Sequence, residues 1–232
     1  MATVAQQITT ALTGLCSESE QAKITRRLPA ESGLSALGVR MKDVFDLAKA
    51  WTGISLTVVP DLLASQWYEV RMVAVAILDF KARRRGLGDG DRRHLYDTYL
   101  KHHHLLTVWD LVDRAAPRVV GWYLSDKSRE PLFSLAESEV ALERRTAITA
   151  AFWLIRQGDT DDPLELAVRL IEDDSELVTK PVGTALREVG KVDPDRLLTF
   201  LIDQHHRMPR AMIRTATDSL PDNVRREWLR QR

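Results

Sequence analysis

Apolar residues recur at helical spacing along most of this chain. Val70, Val73, Ala74, Ile77 and Leu78 form an i, i+3, i+4, i+7, i+8 stripe, the signature of one wide buried helix face. Leu142, Ala147, Ala150, Ala151 and Leu154 make a second stripe, and Leu164, Ala167, Leu170 and Ile171 a third. Helix-start signals accompany them: Ser17-Glu18-Ser19-Glu20 has a capping-box pattern, and Pro60, Pro163, Pro194, Pro209 and Pro221 fall near expected first turns. Alternating β-branched runs closed by Asn-Gly or Asp-Gly do not occur, and Ile54 to Val59 reads as a connector. Gly86-Leu-Gly-Asp-Gly90 reads as a loop between helices, since no strand precedes it to make a phosphate cradle. The pattern predicts an all-α chain of roughly eleven or twelve helices joined by short loops.

A compact bundle and an α-solenoid both fit such a string of helices. A loose repeat favours the solenoid. Arg71, Trp109, Arg145, Lys180 and Arg214 follow one another at intervals of about 34 to 38 residues, near the length of a HEAT helix pair. The segment Val70-Arg71-x-x-Ala74-x-x-x-Leu78 also resembles the inner helix of a HEAT unit. The expected architecture is one HEAT-like domain over residues 1–232, built of antiparallel helix pairs and curved. The repeated positions, mostly cationic, would then line a concave surface suited to a polyanion.

Composition fits a globular protein, with 44% hydrophobic and 28% charged residues and few glycines (11) or prolines (9). Cys16 is the single cysteine, so no internal disulfide forms and a reducing cytosol is the expected compartment. The N-terminal residues carry neither a basic n-region nor a long apolar core, and no stretch is apolar enough to cross a bilayer. The expectation is a soluble cytoplasmic monomer. Net charge is zero, which argues against indiscriminate nucleic-acid binding, but the charges segregate. Basic clusters occur at Lys23, Arg26, Arg27, Arg40, Lys42 and Lys49, and again at Lys81, Arg83, Arg84, Arg85, Arg92 and Arg93. Asp159 to Glu176 holds eight acids against one base, Arg169. These clusters are compatible with a basic face and equally with solvated helix surfaces.

The segment Thr107-Val-Trp-Asp-Leu-Val-Asp-Arg-Ala-Ala-Pro117 carries the most chemistry. Thr107 is placed to cap a helix on which Trp109 and Asp113, at i and i+4, share a face. An aromatic plane beside a carboxylate suits a cationic or oxocarbenium-like species; a packed tryptophan and an acid near a helix N-terminus are the structural alternative. Asp110 flanks Asp113, and Pro117 should kink or end the helix. His102-His103-His104 and His205-His206 read as polar helix ends, because consecutive histidines on a helix do not converge on one metal ion. Gly-x-Ser-x-Gly, Walker, His-Glu-x-x-His and Cys-x-x-Cys motifs are missing, so the commonest hydrolase, nucleotide and zinc classes are excluded.

Trp109-Asp-Leu-Val-Asp113, followed by Pro117 and Gly121, resembles the Trp-Asp-x-Val-Asp motif of the AlkD-like DNA glycosylases. Gly38-Val39, the helix from Glu69 to Lys81, Arg144-Arg145-x-Ala147 and Leu186-Arg187-Glu188-Val-Gly-Lys191 keep order with it, so the resemblance covers roughly residues 20–220. It implies a HEAT-like solenoid holding double-stranded DNA and excising cationic N-alkylated purines such as 7-methylguanine and 3-methyladenine, without metal or cofactor. By the same resemblance Asp113 is the catalytic carboxylate, Trp109 packs beside the lesion-bearing deoxyribose, and Arg145 contacts the backbone near the lesion. Arg71, Arg144, Lys180, Arg187 and Arg214 are the further DNA-binding candidates. Two departures stand out: Thr184 occupies the place of the family's second tryptophan, and Arg26, Arg27 and Leu28 stand where an N-terminal aromatic is expected. A catalytically silent HEAT module binding DNA or a protein partner is therefore the alternative.

Overall fold

The computed structural model describes residues 2–230, and among these the chain is helical with one isolated bridge, Ser35 to Trp67, in place of any sheet. The chain divides into two compact units, residues 1–119 and 120–232. The first contains α1 (Val4–Thr13), α2 (Glu18–Arg27), α3 (Met41–Ala50), α4 (Val59–Leu63), α5 (Tyr68–Ala82), α6 (Asp89–Lys101) and α7 (Trp109–Ala116). The second contains α8 (Trp122–Leu124), α9 (Glu130–Ala136), α10 (Ala141–Arg156), α11 (Asp161–Leu170), α12 (Glu176–Val192), α13 (Pro194–Gln204), α14 (Arg210–Ala216) and α15 (Asp222–Arg230). No helix among the described residues is long and apolar enough to cross a membrane.

Packing is sequential, as in stacked helix pairs. In the first unit α5 is the hub, touching α3, α4, α6 and α7. In the second, α10 packs on α12 and α12 on α14, with α9, α11 and α13 beside them. The two longest stripes supply these hubs. From Val70 to Leu78 the buried α5 residues include Val73, Ala74, Ile77 and Leu78, each fully shielded from solvent. On α10 the row Ala147, Ile148, Ala150, Ala151 and Ile155 is likewise fully buried. Small residues set the spacing elsewhere. A Cβ on Gly121 would sit 2.1 Å from the Ala150 carbonyl oxygen, and one on Gly190 would collide with Leu197 and Ser219.

The expected helix starts are found at or near their prolines, with Pro194 opening α13 and Pro209 capping α14. Ser17 caps α2, its hydroxyl accepting from the Glu20 amide at 3.3 Å. Pro181 differs, since it lies inside α12 rather than at its start. A proline there cannot donate to the carbonyl four residues back, that of Leu177. Arg145 on α10 fills the gap: its Nη1 donates to the Leu177 oxygen at 2.5 Å. Arg71 makes the matching contact in the first unit, donating from Nη1 to the Leu105 carbonyl at 2.6 Å and from Nε to that of Ser65 at 2.6 Å. The loose repeat in the sequence thus has a structural counterpart, an arginine on one hub helix stapled to the backbone about one helix pair further on.

Two local expectations are corrected. Thr107 does not cap α7; Val108 occupies the N-cap and makes no side-chain cap hydrogen bond. His103 is not solvated either, being buried edge-on against Tyr99 with ring centroids 5.6 Å apart. It lies in a three-residue turn of 3₁₀ geometry, His103–Leu105, four residues after Tyr99 and so in line with the buried Leu95 and Tyr99 of α6.

Candidate functional site

Helix α7 presents the candidate chemistry. Its inner face is Leu111, Val112, Ala115 and Ala116, all buried, which leaves Trp109 and Asp113 together on the opposite side. Trp109 is 46% exposed, unusual for the largest apolar side chain, and Asp113 is half-buried. Pro117 ends the α-helix after two turns, and the chain continues through a wide π-type turn, Pro117–Gly121.

The register of α7 is held at both ends. At its start the Tyr68 hydroxyl, on a fully buried ring, donates to Asp110 Oδ2 at 2.5 Å. Burial raises the Asp110 pKa, and the Asp113 charge adds to the shift; the Tyr68 bond and the Arg27 charge oppose it. Burial likewise pushes the Tyr68 phenol far up, with the Asp110 charge acting the same way. Near its end Arg114 stacks between Phe45 and Phe80, 4.2 and 4.7 Å from the ring centroids, and pairs with Asp79 at 2.7 Å. That ion pair is not aligned as a hydrogen bond, so it is an electrostatic contact. Asp79 also pairs with Arg83 and Arg118. Sequence reasoning missed both anchors because their partners lie tens of residues apart.

A cavity of about 30 Å³ opens beside this turn, lined by Arg27, Leu28, Tyr68, Trp109 and Asp110. Arg27 and Leu28, which stand where the resemblance expects an aromatic, are therefore neighbours of Trp109. A second buried carboxylate, Glu69, shapes the same unit. It accepts the amides of Leu37, Gly38 and Val39 at 2.8 to 3.2 Å. Gly38 has φ +96°, and a Cβ there would meet the Ser17 oxygen at 2.5 Å, which explains the Gly-Val pair before α3.

In the second unit the candidate cations separate into two groups. Arg145 is 7% exposed and joined to Leu177, as above. Arg144 grips the loop before α12, with Nε and Nη2 on Asp173 at 2.6 and 3.0 Å and Nη1 on the Ser138 and Glu139 carbonyls. Arg71, Arg144 and Arg145 are thus engaged within the fold, where the sequence pattern presents them as cations facing a ligand. Lys180, Arg187 and Arg214 keep more accessible positions. Lys180 pairs with Glu176 at 2.6 Å on the open surface, half-buried Arg187 with its neighbour Glu188, and Arg214 is exposed on α14. Thr184 and Lys180 line an open cavity of about 520 Å³ with Thr179, Met212 and Thr215. Thr184, at the place where a second aromatic wall is expected, borders this open cavity. Among the described residues no three His, Cys, Asp or Glu side chains converge as metal ligands would.

Comparison with known proteins fits this picture. Residues 8–220 match the family described as DNA alkylation repair enzyme. A solved structure described as a predicted DNA alkylation repair enzyme from Enterococcus faecalis superposes with a TM-score of 0.68 over 89% of this chain and 97% of its own, at 15% identity. That likeness concerns the fold. No curated protein matches the sequence.

Proposed function

The chain belongs to the DNA alkylation repair enzyme family, and from that premise we propose that it is a monofunctional DNA glycosylase excising cationic N-alkylated purines from duplex DNA, as a cytoplasmic monomer. The observation that carries the reading is the pairing on α7 of an exposed Trp109 with Asp113 one turn later. Alkylation at a ring nitrogen gives the base a positive charge. When the N-glycosidic bond breaks, its electron pair returns to the base, which leaves neutral, and the deoxyribose becomes an oxocarbenium-like cation. The carboxylate of Asp113 opposes that charge, and the indole of Trp109 packs against the sugar and offers π density. Water then adds to the anomeric carbon and gives up a proton to solvent. The residues need mainly to stabilise charge that develops in the transition state.

Lys180, Arg187 and Arg214 are proposed to meet backbone phosphates. Surface pairs such as Lys180 with Glu176 are worth little and exchange readily for a phosphate. Arg71, Arg144 and Arg145 serve the site through the framework, Arg71 by holding the Leu105 carbonyl ahead of α7 and Arg144 and Arg145 by holding the start of α12, which carries Lys180 and Arg187. One observation favours the alternative, a silent DNA-binding module: the open cavity at Thr184, where a second wall would steady the lesion.

Incubating wild type and Trp109→Ala with a duplex carrying a single 7-methylguanine, and measuring the freed base, separates the two. The glycosylase reading expects release by wild type and a loss of on the order of tenfold or more in the variant. Binding of the duplex without release of 7-methylguanine or 3-methyladenine would establish the silent module.

A further inference from the structure

The basic run that closes α5 has no part in the chemistry above. Lys81 lies 13 residues after Tyr68, so about 20 Å along the helix from the Tyr68–Asp110 contact. There Lys81, in the last turn of α5, and Arg84, in the loop that follows it, line a cavity of about 280 Å³ with His94 and Asp91 of α6 and an apolar wall that includes Leu56 and Leu95. The Arg84 guanidinium is held over the connector by donating from Nη2 to the Thr52 carbonyl at 3.3 Å. Lys81 is half-buried and has no acid partner among the described residues. Burial, and then the Arg84 charge, lower its pKa. Two adjacent cations in a recess, one of them partly desolvated, repel each other until an anion joins them.

We infer that this recess is a binding site for a phosphodiester. The lining carries two fixed positive charges and the single negative charge of Asp91, an excess of one. That balance matches a singly charged diester better than a doubly charged monoester. The apolar wall suits the organic groups that flank a diester on either side. Two sources share this chemistry, a nucleic-acid strand and a free small diester.

The test follows His94 and the Lys81 and Leu95 backbone signals by heteronuclear NMR during titration with the dinucleoside monophosphate TpT. A saturable shift is expected, with affinity about tenfold weaker in Lys81→Met and in Arg84→Gln, the loss expected for one charge-assisted hydrogen bond. Both side chains end at the surface of the recess, and Lys81→Met keeps the aliphatic stem, so the variants should fold; a circular-dichroism melt checks this. A short duplex that moves the same signals identifies a strand as the source; a response to TpT alone identifies a free diester, and either supports the site. Shifts reproduced by sodium chloride at equal ionic strength, or unaltered affinity in both variants, would overturn it.

Discussion

Pro181 and Arg145 make a linked pair, and the link can be measured. Pro181 leaves the Leu177 carbonyl without its helical donor, and Arg145 supplies a guanidinium N–H at 2.5 Å instead. Removing the arginine in Arg145→Ala deletes a charge-assisted hydrogen bond, about 1.5 to 3 kcal/mol, and the packing of a side chain only 7% exposed. Leu177 is 38% exposed, so water can reach this turn and the loss should fall near 2 kcal/mol. Restoring a backbone donor with Pro181→Ala should soften that loss. The double variant Arg145→Ala, Pro181→Ala is expected to be about 1 kcal/mol more stable than the sum of the single changes predicts, the net value of one backbone hydrogen bond. Urea unfolding followed by circular dichroism at 222 nm gives the four free energies. If the cost of Arg145→Ala is the same with proline or alanine at 181, Arg145 is not the substitute donor and the repeat staple is wrongly explained.

Asp110→Asn should raise stability near neutral pH. Burial raises the Asp110 pKa in the fold, so its charged form disfavours folding as pH rises through the folded value, whereas the amide oxygen still accepts from Tyr68. The gain should vanish below the unfolded carboxylate pKa of about 3.9, where wild-type Asp110 is neutral in both states; thermal melts at pH 3 and pH 7 check it. If Lys180 and Arg214 meet phosphates, removing both should shallow the slope of log affinity against log salt by about two units for a duplex, read by fluorescence anisotropy. An unchanged slope would withdraw them from the interface.

The helices and their buried faces were legible in the chain because apolar spacing and proline placement are local signals. The Trp109–Asp113 pair was legible for the same reason, being one turn of one helix. The direction of the arginines was not. Period alone assigns Arg71 and Arg145 to matching places, but a guanidinium on a long stem can fold back onto backbone as readily as project outward. Position 177 held the clue, since a proline four residues later leaves a carbonyl in need of a donor. The Tyr68–Asp110 bond spans 42 residues, and no one-dimensional pattern joins those two. Glu69 was closer to reach: a carboxylate in an otherwise apolar stripe requires buried donors, and the loop around Gly38 supplies them.

The central claim, that Asp113 opposes the charge developing on the sugar, is tested most directly by single-turnover excision of 7-methylguanine from duplex DNA by wild type and Asp113→Asn. Asp110→Asn is the control, one helix position from Trp109 and bound to Tyr68. The account predicts a fall of on the order of tenfold to a thousandfold in Asp113→Asn, with duplex affinity little changed, and near wild-type excision in Asp110→Asn. Equal rates in wild type and Asp113→Asn, or equal losses in the two variants, would contradict it.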